Sequence, residues 1–328
     1  MGRRKGRDIH GILLLDKPAG YSSSQAVQKI RWLFQARKAG HTGTLDPFAT
    51  GMLPICLGEA SKTAAFMLDA DKTYVARARL GEATETGDVE GEVIQQEAVP
   101  DLATAAIDAA MSGFRGTFDQ VPPMYSALKH EGTPLYKLAR EGKVVERKAR
   151  TITVHELELI SWRAPDLVFR ARCSKGTYIR TLAEDLAKAL GTCGHLRGLR
   201  RTTSGVFTTG MVTLEELEQQ VEEGTPESLL LPPDAGLTDW PIITLDQQAA
   251  TRFSHGNPVE VETSDTGMTR VYGAQGDLLG LGEKVSEKFL KPKRIMNLST
   301  YRANSSRTVF CEAKRRATAE SERPTIQT

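Results

Sequence analysis

The chain has 328 residues, 40% of them hydrophobic and 26% charged, with a formal net charge of +2. That length suggests about two domains at ~150 residues each. The composition is that of a globular protein whose core needs no disulfides or structural metal to hold it together. Charge distribution says more than net charge. Residues 1–40 carry nine Lys or Arg against two Asp, residues 137–150 carry six bases against two Glu, and residues 211–230 carry six Glu and no base. Such segregation predicts a basic face and an acidic back, though a set of solvated surface charges gives the same pattern. Cys56, Cys173, Cys193 and Cys311 form no CxxC pair, and no His flanks them at ligand spacing. No metal site is expected, and the scattered thiols suit a reducing cytosol. The apolar run at 12–15 is too short for a signal peptide, and no segment approaches a membrane span.

Residues 12–15 read as a buried strand ending in the turn Asp16-Lys17-Pro18. Ser22, Ser23 and Ser24 offer caps for a helix carrying Val27, Ile30, Leu33 and Phe34 at helical spacing. Residues 40–51 are rich in Gly, Thr and Pro and read as a loop; 61–68 reads as a helix and 74–80 as a strand. Residues 101–111 predict an Ala-rich helix capped by Asp101, and 120–143 a long excursion, of the kind that is often functional. Residues 151–160 and 166–174 alternate like paired strands, with Leu167, Phe169, Ala171 and Cys173 on one face and Arg170 and Arg172 on the other. Ile179, Leu182, Ala183, Leu186 and Leu190 mark an amphipathic helix. Residues 231–236 read as a linker, 258–262, 269–272 and 278–282 as strands of a small β-rich unit, and the chain beyond Tyr301 as a disordered tail.

The densest chemistry lies in GHTGTLDPFATG, residues 40–51. Pro47 biases Asp46 toward an extended backbone and projects one carboxylate from a stiff loop beside His41. By local pattern alone, Asp46 capping its own turn is the commoner reading. In SKGTYIRTLAED, a cap at Thr177 puts Arg180 at the third helical position. A cation there opposes the helix dipole by ~0.3–1 kcal/mol, a penalty that a nearby anion offsets and a solvated surface tolerates. Tyr74 and Tyr178 sit among bases, as base-stacking or half-buried tyrosines do. Phosphate-loop, dinucleotide, zinc-protease and serine-esterase motifs are all missing.

Taken together, GILLLDKPAGYSS, GHTGTLDPFATGMLPICLGEASK, DKTY, VPPMYSALKHEGTPLYKLAREG, RCSKGTYIRTLAEDL and LRRTTSG resemble, in order and spacing, the bacterial tRNA pseudouridine-55 synthases of the TruB family, and FLKPKRIMN extends the likeness to Asn297. The resemblance implies an α+β fold: a catalytic domain over 1–237 with a mostly antiparallel mixed sheet, flanking helices and an RNA-binding insertion at 121–143. A PUA-like β-rich RNA-binding domain would follow over 238–300, then the tail at 301–328. It implies Asp46 as catalytic carboxylate, Tyr74 stacked on the target base and Arg180 paired with Asp46. His41 would fill the space left by the flipped nucleotide, Tyr178 and Leu199 would line the uracil pocket, and Lys17 and Lys62 would bind RNA. It further implies a cofactor-free cytoplasmic enzyme acting on the tRNA T-arm without an obligate protein partner, a role with which assistance to tRNA folding is compatible; with no apolar surface stripe left over, a monomer is expected. Thr73 stands where the family often has Arg. The competing readings are a guide-RNA-dependent synthase, a non-enzymatic RNA-binding protein and, more remotely, a glycoside hydrolase, which would want a second acid at a defined separation.

Overall fold

The computed structural model describes residues 6–286 and 288–298; the tail expected from 301 onward lies outside the described residues. Strand β1 (Gly11–Lys17) leads through helix α1 (Ser23–Leu33) to β2 (Ala39–His41) and β3 (Thr50–Leu57). A 3-10 turn (Gly58–Lys62) and α2 (Ala64–Leu68) replace the single helix expected over 61–68. Next come β4 (Lys72–Leu80), the hairpin of β5 (Glu82–Thr84) and β6 (Val93–Gln96), then α3 (Thr104–Ser112) and β7 (Gly116–Gln120). The excursion after Gln120 holds a small hairpin, β8 (Lys129–His130) with β9 (Thr133–Pro134), and helix α4 (Leu135–Arg140). Strands β10 (Arg150–Arg163) and β11 (Asp166–Cys173), α5 (Ile179–Ala189), β12 (Gly194–Ser204) and α6 (Leu214–Glu222) follow. Beyond them are β13 (Ile242–Leu245), α7 (Gln247–Ser254), β14 (Val259–Glu260), β15 (Gly267–Gly273), β16 (Leu278–Lys284) and β17 (Phe289–Ile295).

The fold is α+β. The main sheet has eight strands in the order β1-β3-β12-β4-β11-β10-β7, with β2 added on β3. All its pairings are antiparallel except β3 with β12. Side chains alternate across a strand, so β1 and β3 supply two cores at once. Leu13, Leu15, Leu53, Ile55 and Leu57 pack with α1 and α5 on one face. Ile12, Leu14, Met52 and Cys56 pack on the other with Met67, Phe207 and, from β16, Leu278 and Leu281. Burial on both faces explains why 12–15 is apolar without alternation. The second sheet, in the order β13-β15-β16-β17-β14, has a further core of Ile243, Leu245, Phe253, Val271 and Leu290.

Some local expectations fail. Helix α3 starts at Thr104 with Ala103 as cap, so Asp101 caps nothing. The supposed linker is packed: Leu231 exchanges backbone bonds with Ile12, Thr63 Oγ1 donates to Pro233 O (3.1 Å), and buried Asp234 accepts from Tyr272 Oη (2.5 Å) and Arg270 Nη1 (3.3 Å). Arg170 and Arg172 do share a face, but each is paired across to β10, with Glu158 and Glu156.

Candidate active site

The loop at 42–49 joins β2 to β3, which it enters beside β12, and almost every residue of it is tied down. Ser23, in the first turn of α1, accepts the Leu45 N–H (2.8 Å) and donates to the Leu45 carbonyl (3.0 Å). The Gly20 N–H donates to Pro47 O (2.9 Å) and the Ala49 N–H to Asp46 O (3.1 Å). Lys17 is fully buried, and its ammonium donates to the carbonyls of Pro18 (2.9 Å), Tyr21 (2.6 Å) and Pro47 (3.2 Å). Lys17, expected at the RNA, thus has its ammonium among the carbonyls of its own turn and of the Asp46 loop. Burial brings its pKa down to about 8.

Asp46 leaves this clamped loop with its carboxylate on Arg180: Nε to Oδ2 3.0 Å and Nη2 to Oδ1 3.2 Å. Its side chain is 33% exposed, whereas that of Arg180 is 4% exposed. The turn-capping alternative is not what forms, since the described hydrogen bonds of this carboxylate all come from Arg180. Arg180 is held on every side. Nη1 donates to Thr86 O (2.7 Å), Nη2 to Tyr125 O (2.7 Å), and Nε lies 3.5 Å from Asp88 Oδ2. The helix cap is Tyr178 rather than Thr177, which puts Arg180 at the second helical position. The penalty of a cation there is offset by two carboxylates. Burial raises the Asp46 pKa above the ordinary carboxylate range; Arg180 pulls it down, Asp88 pushes it up and Lys17 pulls it down.

Asp88 was not singled out from the sequence. It sits in the acidic turn ETGDVEGE, where nothing separates a buried acid from solvated ones. It is nearly fully buried and accepts from Thr86 Oγ1 (2.6 Å) and the Glu90 N–H (3.0 Å). Arg201 also escaped notice. It is 1% exposed and donates from Nε to Met52 O (2.7 Å), from Nη1 to Thr44 O (3.4 Å) and from Nη2 to Gly43 O (3.1 Å).

The remaining expected residues gather unequally. Tyr74 on β4 stands opposite Arg201 in the β4–β12 register and packs on the α1/α5 core; burial raises its pKa and the nearby Arg201 charge lowers it. Leu199 lies two residues before Arg201, buried on the same face. His41 accepts the Gly43 N–H at Nδ1 (3.2 Å), and burial and Arg201 lower its pKa, so the imidazole is neutral with its proton on Nε2. Tyr178 is held through its backbone by Gln120, whose amide accepts the Tyr178 N–H (2.8 Å) and donates to its carbonyl (3.1 Å). Lys62 lies elsewhere, donating to Glu59 (2.6 Å) and to Ile295 O (2.6 Å) where the two sheets meet. Among the described residues no cluster of three or more His, Cys, Asp or Glu could hold a metal ion, and no helix is long and apolar enough to cross a membrane.

The fold is shared with solved structures. A Cbf5-Nop10-Gar1 complex aligns with a TM-score of 0.68 at 26% identity, covering 88% of this chain and 84% of the other. An H/ACA RNP bound to a substrate RNA containing 2'-deoxyuridine aligns with a TM-score of 0.69 at 24% identity, covering 92% and 93%, a likeness of fold. Among relatives, tRNA pseudouridine synthase B of Pseudomonas paraeruginosa is 48% identical over 299 residues, 90% of this chain and 98% of that protein. The protein of the same name from Chromohalobacter salexigens is 48% identical over 301 residues, 91% and 98%. These relatives define the class: a pseudouridine synthase acting on tRNA. Residues 31–179 match the N-terminal domain of TruB family pseudouridylate synthases, 180–238 the tRNA pseudouridylate synthase B C-terminal domain, and 241–296 the C-terminal domain of pseudouridine synthase II TruB. The chain belongs to the TruB family of pseudouridylate synthases.

Proposed function

We propose that this chain converts the uridine at position 55, in the T-arm loop of tRNA, to pseudouridine, with Asp46 as the catalytic carboxylate. The observation that carries the assignment is the two-point pairing of Asp46 with Arg180 at the mouth of a clamped loop. The reaction breaks N1–C1′, turns the uracil and joins C5 to C1′. The C5 hydrogen leaves as a proton and N1 gains one, so the product is an isomer and no redox partner is needed.

A uridine stacked in a folded loop hides its sugar carbon, so the nucleotide must first be flipped out. Neutral His41 is suited to fill the gap, because no charge has to be desolvated against the remaining bases. Tyr74 offers its ring face to the freed uracil, with Leu199 and Tyr178 as walls. The Asp46 carboxylate then attacks C1′ or removes a proton from C2′. A raised pKa makes it a stronger base and nucleophile than an ordinary aspartate, while Arg180 fixes its direction. The excursion at 121–143 and the C-terminal sheet grip the RNA on either side. The enzyme works in the cytoplasm as a monomer and also helps tRNA to fold.

Likeness to a Cbf5-Nop10-Gar1 complex favours a second reading, in which partner proteins are required. Coverage of 98% of relatives named tRNA pseudouridine synthase B supports the first. The test is tritium release from unmodified tRNA labelled at C5 of uridine, with purified wild type and Asp46→Asn. Release by wild type alone supports the assignment. No release by either protein, with tRNA still bound, defeats it in favour of partner-dependent action.

A further inference from the structure

The buried guanidinium of Arg201 is not used in that account. Burying a charge is costly unless it is paired and hydrogen-bonded. Among the described residues no Asp or Glu forms an ion pair with Arg201; it is instead compensated by carbonyls of Gly43, Thr44 and Met52. Two of these belong to the loop that carries Asp46, and the third to the strand that the loop enters. Arg201 is also the register partner of Tyr74 in the β4–β12 pairing, and its charge lowers the phenol's pKa.

Neighbouring glycines are shaped around this residue. A Cβ on Gly43 would lie 3.4 Å from Arg201 Nη1, at a φ of +147°. A Cβ on Gly51 would lie 2.2 Å from Arg201 O, at a φ of +96°. Gly51 is the register partner of Arg201 in the parallel β3–β12 pairing. Side chain and backbone of one residue thus hold both ends of the Asp46 loop. The same guanidinium borders Tyr74 on β4.

We propose that Arg201 is a positioning residue for the isomerisation, seating the Asp46 loop and the Tyr74 side chain against each other without touching the RNA. This rests on the roles given above to Asp46 and Tyr74. A planar fork satisfies several carbonyls in fixed directions, which a lysine point charge cannot reproduce. Small displacements of a catalytic group cost rate rather than binding, on the order of 100-fold for 1 Å.

The test uses the full-length protein with Arg201→Lys, Arg201→Met, Tyr74→Phe and the Arg201→Lys/Tyr74→Phe double variant. Thermal melting establishes folding, and tRNA affinity and single-turnover rate at saturating enzyme are measured on the same preparations. Arg201→Lys is expected to bind tRNA within about threefold of wild type and to turn over at least about 30-fold more slowly. Its loss and that of Tyr74→Phe are expected to be less than multiplicative in the double variant, since both loosen one contact. A rate within about threefold of wild type, an affinity loss as large as the rate loss, or multiplicative effects each overturn the proposal. Should Arg201→Met not fold, the lysine variants carry the decision. Failure of Arg201→Lys to fold would also overturn it, by making Arg201 a residue of stability. Asp46→Asn serves as control: if it stays active, the site assignment itself fails; if it is dead while Arg201→Lys is unaffected, only the positioning role falls.

Discussion

At Arg180, one guanidinium answers to two carboxylates of different fate. Asp46 is partly open to the outside and Asp88 is closed in. Asp88 anchors the arginine and also acts as a like charge on Asp46, pushing its pKa upward. If the ionised Asp46 is the working form, activity falls as pH drops through its raised pKa, above the ~3.9 of an ordinary aspartate. Asp88→Asn removes a raising influence, so the acid limb of the single-turnover rate moves to lower pH, while the plateau falls because Arg180 loses an anchor. A limb that stays in place or moves up would remove Asp88 from this role. Lys17 gives a second pH signature, in stability. Its pKa is 10.5 when exposed and about 8 in the fold. Between those values the unfolded chain binds more protons than the folded one, so stability rises with pH there. Its contribution is present above 10.5 and lost as pH falls through about 8. Denaturant titrations of wild type and Lys17→Met are expected to diverge in favour of wild type across that window, by at most about 3 kcal/mol.

Elements matter here chiefly through how they hold the loop at 42–49. Helix α1 presents Ser23 inward, and one hydroxyl satisfies both backbone groups of buried Leu45. Ser23→Ala strands a buried donor and acceptor, at a cost of roughly 1–3 kcal/mol. Urea denaturation is expected to show that loss, and turnover at a temperature where the variant is fully folded is expected to fall as well, because Asp46 follows Leu45 directly. Unchanged turnover would mean that Lys17 and Pro47 hold the loop alone. The sequence made the amphipathic pieces readable. Helix α5 and the β10–β11 pair announce themselves by their periods, and the capping box of Ser22 and Gln25 starts α1 where serines cluster. Strands β3 and β12 were harder. Pro54 and the buried run through Leu57 hide β3, and Gly194, Gly198 and paired arginines break the alternation of β12. Asp46 was legible through the motif GHTGTLDP and its resemblance to the TruB family, and Arg180 as a cation in a first helical turn within RCSKGTYIRTLAEDL. Arg201 and Asp88 offend no local rule; their meaning comes from residues distant in the chain, Met52 for Arg201 and Arg180 for Asp88.

Across the whole molecule, one sheet is covered by helices on one face and by the C-terminal sheet on part of the other. Lys62, Glu59 and Asp234 tie the two sheets together by hydrogen bonds, so the C-terminal sheet is fixed with respect to the Asp46 loop. Removing the chain from 238 onward would take Leu278, Leu281 and Met296 out of the core they share with Ile12, Leu14 and Met52, so truncation would confuse lost binding with lost stability. Point changes avoid this. Arginines on the open face of the main sheet are already neutralised: Arg77 by Asp166, Arg170 by Glu158, Arg172 by Glu156 and Arg200 by Asp16. Among the described residues, bases without an ion-pair partner lie on the excursion, at Lys137, just beyond it at Lys148 and at Arg150 where β10 begins, and on β17, at Lys291 and Arg294; Lys293 beside them is paired with Glu283. Phosphate binding releases counterions only where a base is free to take the phosphate. The double variant Lys291→Ala/Arg294→Ala is therefore expected to bind tRNA more weakly and to flatten the plot of log affinity against log salt by about 1–2. The loss of affinity is expected to exceed any loss of single-turnover rate at saturating enzyme, because both bases sit on the second sheet, away from Asp46. An unchanged salt slope would take β17 out of the RNA contact and leave the excursion to carry it.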